Sequence, residues 1–154
     1  MRRQRILEYE EFWLEELGEA ERSLILSAKA AAETAYAPYS GFPVGAAARL
    51  RDGRILTGNN QENAAYPSGL CAERVLLFYL GGQSLIPEVE ALAVCAPRST
   101  QPIMPCGACR QVIYEYEQRS RAPWQFFFAG NSNLVFRFIK AETLLPFPFV
   151  WKPF

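Results

Sequence analysis

The chain has 154 residues, half of them apolar and 14% aromatic, which suits one domain with a sizeable core and excludes a disordered chain. Sixteen basic residues balance sixteen acidic ones, which argues against a protein that grips a nucleic-acid backbone by net charge. A small molecule or another protein chain is the expected partner. Histidine is absent, so every mechanism that needs an imidazole is closed.

The basic start, with Arg2, Arg3 and Arg5, runs into Glu8, Glu10, Glu11, Glu15 and Glu16, so no secretory or organelle-import leader is expected. Leu7, Phe12, Trp13, Leu14 and Leu17 sit among these glutamates. Residues 6–17 read equally as an amphipathic helix or an irregular arm. An alanine-rich helix is predicted over about 20–36, ended by Pro38. Residues 44–50 form a strand of small side chains, Asp52-Gly53 a hairpin turn, and 54–58 the returning strand. Residues 59–69 are polar, with Pro67 and Gly69, and read as a loop. A buried helix over 71–80 stops at Gly81-Gly82. The continuous apolar run 89–96 suits a strand buried on both faces. After a loop with Pro97, Pro102 and Pro105, residues 106–118 are helical, and 124–129 and 134–139 are strands joined across 130–133. The end, 144–154, is aromatic and rich in proline. No run approaches the roughly 18 apolar residues of a membrane span, and the cytoplasm is the expected compartment. The order of elements implies an α/β fold, one mixed sheet with helices on its faces.

In a reducing cytosol the four cysteines are metal ligands, catalytic thiols or core residues rather than disulfides. Cys71-Ala72-Glu73-Arg74 opens one predicted helix, and Pro105-Cys106-Gly107-Ala108-Cys109-Arg110-Gln111 opens another. Two cysteines three apart share a helix face, and a helix N-terminus favours the thiolate that binds metal. If Cys71 projects toward the same point, three thiolates converge and leave the fourth tetrahedral position of a zinc ion open, the layout of a catalytic site. Glu73 is long enough to bend toward water held there and to move its proton. Three thiolates overcompensate the zinc charge, so a nearby cation, Arg74 or Arg110, is expected to offset them.

Cys-Ala-Glu followed by Pro-Cys-x-x-Cys resembles the signature of the zinc-dependent nucleoside deaminases in their three-cysteine form. Ala35 to Ala47, Gly58 to Pro67 and Leu144-Leu145-Pro146 extend the likeness over roughly residues 20–150, and it is to the cytidine deaminase family of the small homotetrameric type. The resemblance implies a three-layer α-β-α sandwich around one mixed five-stranded sheet, a deaminase domain over 19–154, and residues 1–18 as an N-terminal extension. It implies zinc on Cys71, Cys106 and Cys109, with Glu73 as proton shuttle in the hydrolytic deamination of cytidine and deoxycytidine. Asn60 and Glu62 would hold the ribose hydroxyls, Phe42 would flank the pyrimidine, and Ala72 would join the substrate-binding group. Tyr66 would lie at a subunit contact. Phe149, from a tail that also offers Phe147, Trp151 and Phe154, would stack on the base in an adjacent subunit's pocket of a homo-oligomer.

Other readings of the same residues stand beside this one. Cys106 and Cys109 could form a redox pair, although that leaves the motif around Cys71 unexplained. They could join a structural zinc site with Cys95 as fourth ligand, although Cys95 sits in an apolar run and reads as core. At the level of function, the alternatives are a deaminase of another amino-heterocycle and a non-catalytic, zinc-stabilised binding module.

Overall fold

Residues 1–151 are described by a computed structural model, and Phe154 lies outside the described residues. The strands are β1 (Glu10–Trp13), β2 (Gly45–Leu50), β3 (Ile55–Asn59), β4 (Val89–Cys95), β5 (Gln125–Ala129) and β6 (Leu134–Phe138). They form one sheet in the order β1-β6-β5-β4-β2-β3. Only β4 and β5 are parallel. A parallel pair needs a crossover, and helix α3 (Gly107–Gln118) provides it.

Side chains alternate across the pleat, so each strand feeds two cores. Ala46, Ala48, Leu92, Val94, Phe126 and Phe128 pack with α2 (Ala72–Gly82), α3 and α4 (Ala141–Leu144). Ala47, Ala91, Ala93, Phe127 and Ala129 pack with α1 (Glu19–Ala31) on the other face. The result is the expected three-layer sandwich. The α1 face is built of small residues because the helix lies close to the sheet. A Cβ on Gly45 would stand 1.9 Å from the Ala28 carbonyl oxygen, so only glycine admits this approach.

The five expected strands are β2 to β6. The sixth comes from the segment left open between helix and arm. In β1, Glu10 pairs with Arg137 of β6 in register and by a 2.7 Å ion pair, and the Arg137 guanidinium lies 4.7 Å over the Phe12 ring. Tyr9 stacks on Phe138 at 5.5 Å, and Leu17 is buried. The segment set apart as an extension therefore supplies an edge strand of the domain's own sheet. Its outward glutamates suit an edge, since charge there discourages pairing with other chains.

Glu117, in the last turn of α3, joins three elements. Its carboxylate, 7% exposed, accepts the Trp124 amide at 3.0 Å and the Ala141 amide at 3.0 and 3.1 Å. It thereby ties the entry of β5 and the first residue of α4 to α3. Burial raises its pKa above the ordinary carboxylate value. Glu117→Ala strands two buried N–H groups, and a loss of about 2–4 kcal/mol is expected, or a fall in Tm of roughly 6–12 °C in a thermal melt. Glu117→Gln, which keeps an acceptor oxygen, should lose less.

Candidate metal centre and active site

The two cysteine motifs fold as two helix entrances. Cys71 is the N-cap of α2 and Cys106 the N-cap of α3, both with extended backbone. Their carbonyls accept the first helical hydrogen bonds, from Arg74 and Val75 in α2 and from Arg110 in α3. Cys109 lies in the first turn of α3. The sulfurs of Cys71, Cys106 and Cys109 all lie within 4.8 Å of one another, at the positive ends of both helices. Cys109 is buried, Cys71 half-buried and Cys106 exposed, so the trio runs from the core to the surface. Cys95 is buried on the α1 face, away from this group, with its thiol 3.5 Å from the Gly130 carbonyl.

Crowding drives the thiols apart in acidity. A hydrogen bond from Cys109 and the neighbouring Arg74 charge hold Cys71 at about 5. The same hydrogen bond, together with burial and the charge of Glu73, pushes Cys109 up. Glu73 is 4% exposed, and its pKa is lifted to about 7, chiefly by burial and further by the Cys71 charge. Three thiols this close cannot all ionise without a cation between them.

Of the two arginines considered, Arg74 meets a sulfur. Its Nη2 donates to Cys71 Sγ at 3.8 Å. Arg110 turns away, donating to the Pro105 carbonyl at 2.8 Å and the Leu144 carbonyl at 3.0 Å. It braces the loop before α3 rather than bonding a thiol.

A cavity of about 480 Å³ opens beside Cys71 and Arg74, with Asn60, Glu62 and Tyr66 also on its walls. Asn60 and Glu62 both clasp the loop that follows α1. Asn60 Oδ1 accepts the Val44 amide at 2.8 Å, and its Nδ2 donates to the Phe42 carbonyl at 3.0 Å. Glu62 accepts the Tyr39 and Ser40 amides at 2.9 and 3.2 Å and the Ser40 hydroxyl. The Ser40 hydroxyl is the main cause of its lowered pKa. Phe42 is held by Asn60 but stands outside the cavity wall. Tyr66 is 73% exposed and meets Tyr39 edge-on at 5.7 Å. Ala72 is fully buried in the core beneath α2, which places it under the site rather than on its surface. Phe149 is 68% exposed and does not line this cavity.

The model of the cytidine and deoxycytidylate deaminase zinc-binding region matches residues 19–122. The chain belongs to this family. A cytidine deaminase of Sporosarcina psychrophila is 50% identical over 93 residues, 60% of this chain and 67% of that one. One of Halalkalibacterium halodurans is 49% identical over 94 residues, 60% of this chain and 68% of that one. The crystal structure of cytidine deaminase from Burkholderia pseudomallei superposes with a TM-score of 0.75 at 42% identity, covering 82% of this chain and 97% of that one. That from Mycobacterium leprae does so with a TM-score of 0.62 at 34% identity, covering 80% and 95%.

The donor set fits the family's metal. Zinc takes thiolates at about 2.3 Å in tetrahedral array, which asks for sulfurs about 3.8 Å apart; the three sulfurs here lie within 4.8 Å of one another. Three protein ligands and no histidine or fourth cysteine beside them leave one position for a small molecule. Ser40, which locks Glu62, and Gln111, which bonds the Phe149 backbone, have no role assigned by the sequence reading. Ser40 stands inside the Ala35–Ala47 segment that carries the family likeness, and Gln111 inside the second cysteine motif; those places are the signals available in the sequence. No helix among the described residues is long and apolar enough to cross a membrane.

Proposed function

We propose that the chain is a zinc-dependent cytidine deaminase, converting cytidine and deoxycytidine with water to uridine or deoxyuridine and ammonia. The observation that carries this is the convergence of three thiols from two helix entrances beside a buried carboxylate, at the end of a cavity lined by Asn60 and Glu62.

Cys71, Cys106 and Cys109 would hold the zinc. Bound there, the ion supplies a water of lowered pKa as nucleophile for C4 of the pyrimidine. Glu73 takes the proton that this water gives up, delivers it to ring N3, and passes a proton to the departing amino group. A carboxylate lifted toward neutrality by burial suits both directions of transfer. Arg74 stabilises the charge on Cys71.

The ribose falls to Asn60 and Glu62, and their hydrogen-bond capacity supports that role. A carboxylate offers about four acceptor sites, and Glu62 spends three on Tyr39 and Ser40. Asn60 retains one N–H and one lone pair after meeting Phe42 and Val44. A fixed acceptor and an amide suit two hydroxyls. A carboxylate on the cavity wall disfavours a phosphate, so the substrate is the nucleoside rather than the nucleotide. Phe42 flanks the base from the loop that Asn60 anchors.

The assembly is a homotetramer with shared sites. Tyr66 sits at a subunit contact, and Phe149 stacks on the base in a neighbouring pocket. Exposure of Phe147, Phe149, Val150 and Trp151 supports this, because such an apolar surface is seldom left to solvent. The cytoplasm suits four cysteines kept as free thiols.

The test is the ultraviolet absorbance of cytidine and of deoxycytidine mixed with the zinc-loaded protein, with adenosine as control. The pyrimidine spectra should convert to those of the uracil nucleosides and adenosine should persist. Unchanged cytidine would overturn the reading, and conversion of adenosine in its place would point to another amino-heterocycle.

A further inference from the structure

Gln111 follows Cys109 by two residues on α3, and its amide is paired in both directions with the backbone of one distant residue. Nε2 donates to the Phe149 carbonyl at 2.8 Å, and Oε1 accepts the Phe149 amide at 2.9 Å. A neighbouring strand would offer the same two bonds, but residues 145–151 have no regular structure. Arg110 holds the start of the same segment through the Leu144 carbonyl at 3.0 Å. On the far side, the Arg5 guanidinium lies 5.1 Å over the Phe147 ring. The segment from Leu144 to Phe149 is thus stapled at its backbone while Phe149 remains 68% exposed.

That combination is informative. A segment that merely covers a core buries its rings and leaves its backbone to water. Here one side chain of α3 fixes the backbone of Phe149 in both directions while the residue stays largely exposed, so what the contacts determine is the direction in which the ring is presented. We infer that Gln111 is a positioning residue, setting where the Phe149 ring is offered to the pocket of a second copy of this chain. This rests on the reading of Phe149 as the base-stacking aromatic. It also means that α3 serves two sites at once: its first turn supplies two thiols to its own pocket, and Gln111 orients an aromatic for the neighbour's.

The test compares Gln111→Leu, Phe149→Ala and the double variant as zinc-loaded full chains. Gln111→Leu keeps the bulk and removes both bonds. It should raise KM for cytidine about tenfold, the scale of one or two positioning hydrogen bonds, with kcat within about twofold and zinc content unchanged. Adding it to Phe149→Ala should change KM no further, because the residue it positions is gone. A merely structural role would instead lower kcat and Tm and would add to the Phe149 effect. An unchanged KM in Gln111→Leu, or an additive double variant, overturns the inference. If Phe149→Ala alone leaves KM unchanged, the stacking reading fails separately, and chymotryptic cleavage after Phe149 then decides the staple. Faster cleavage in Gln111→Leu upholds it, and equal cleavage overturns it.

Discussion

Glu73→Gln should retain zinc and lose cytidine turnover by about 10²–10⁴-fold, the usual worth of general acid–base transfer. Glutamine preserves the length and planarity of the side chain and can occupy the same buried place at the head of α2. It cannot carry a proton between the water, ring N3 and the amino group. Binding should survive, since Asn60 and Glu62 lie on another loop, so the loss should fall on kcat with KM little changed. Metal analysis of the purified variant beside steady-state kinetics checks both halves. Retention of more than a tenth of kcat would remove Glu73 from the reaction, and loss of zinc would make it a structural carboxylate.

Cys109→Ala should abolish zinc retention and activity together. Cys109 is the fully buried member of the trio and lies in the first turn of α3. Two remaining thiols, one of them exposed, form a poor site for an ion that expects at least three protein ligands. Chelation of the wild-type chain should have the same effect on activity, reversed by added zinc. It should lower Tm as well, because an ion bound only by the folded state stabilises it by mass action. The sheet and both cores are built without the metal, so circular dichroism at 25 °C should keep its folded form in both cases. A chelated protein that unfolds outright would mark the zinc as structural, and full activity without zinc would dismiss the ion from the reaction.

The N-terminal strand shows where local reading stops. Residues 10–13 carry two adjacent glutamates and no alternation strong enough to signal a strand. What makes them one is β6, through the backbone ladder, the Glu10–Arg137 pair and the Phe12–Arg137 contact. The four-residue helix α4 is illegible in the local sequence for a related reason. Its first amide is accepted by Glu117, a side chain from another helix, and no local capping residue announces it. Ala72 belongs to the same class: the resemblance sets it in the substrate-binding group, and only the packing of α2 shows that its side chain joins the core.

From the order of residues alone came the strands β2 to β6, the helices that start at cysteines, the shared face of Cys106 and Cys109, and the carboxylate beside Cys71. These follow from apolar runs, turn residues and the geometry of a single helix turn, which act within a few residues. Only the folded chain decided that Cys71 reaches the other two sulfurs, that Arg74 rather than Arg110 bonds a thiol, and that Gln111 grips the Phe149 backbone. Each of these is a distance between elements remote in sequence, and such distances are set by how the two cores pack against the sheet, not by any local preference.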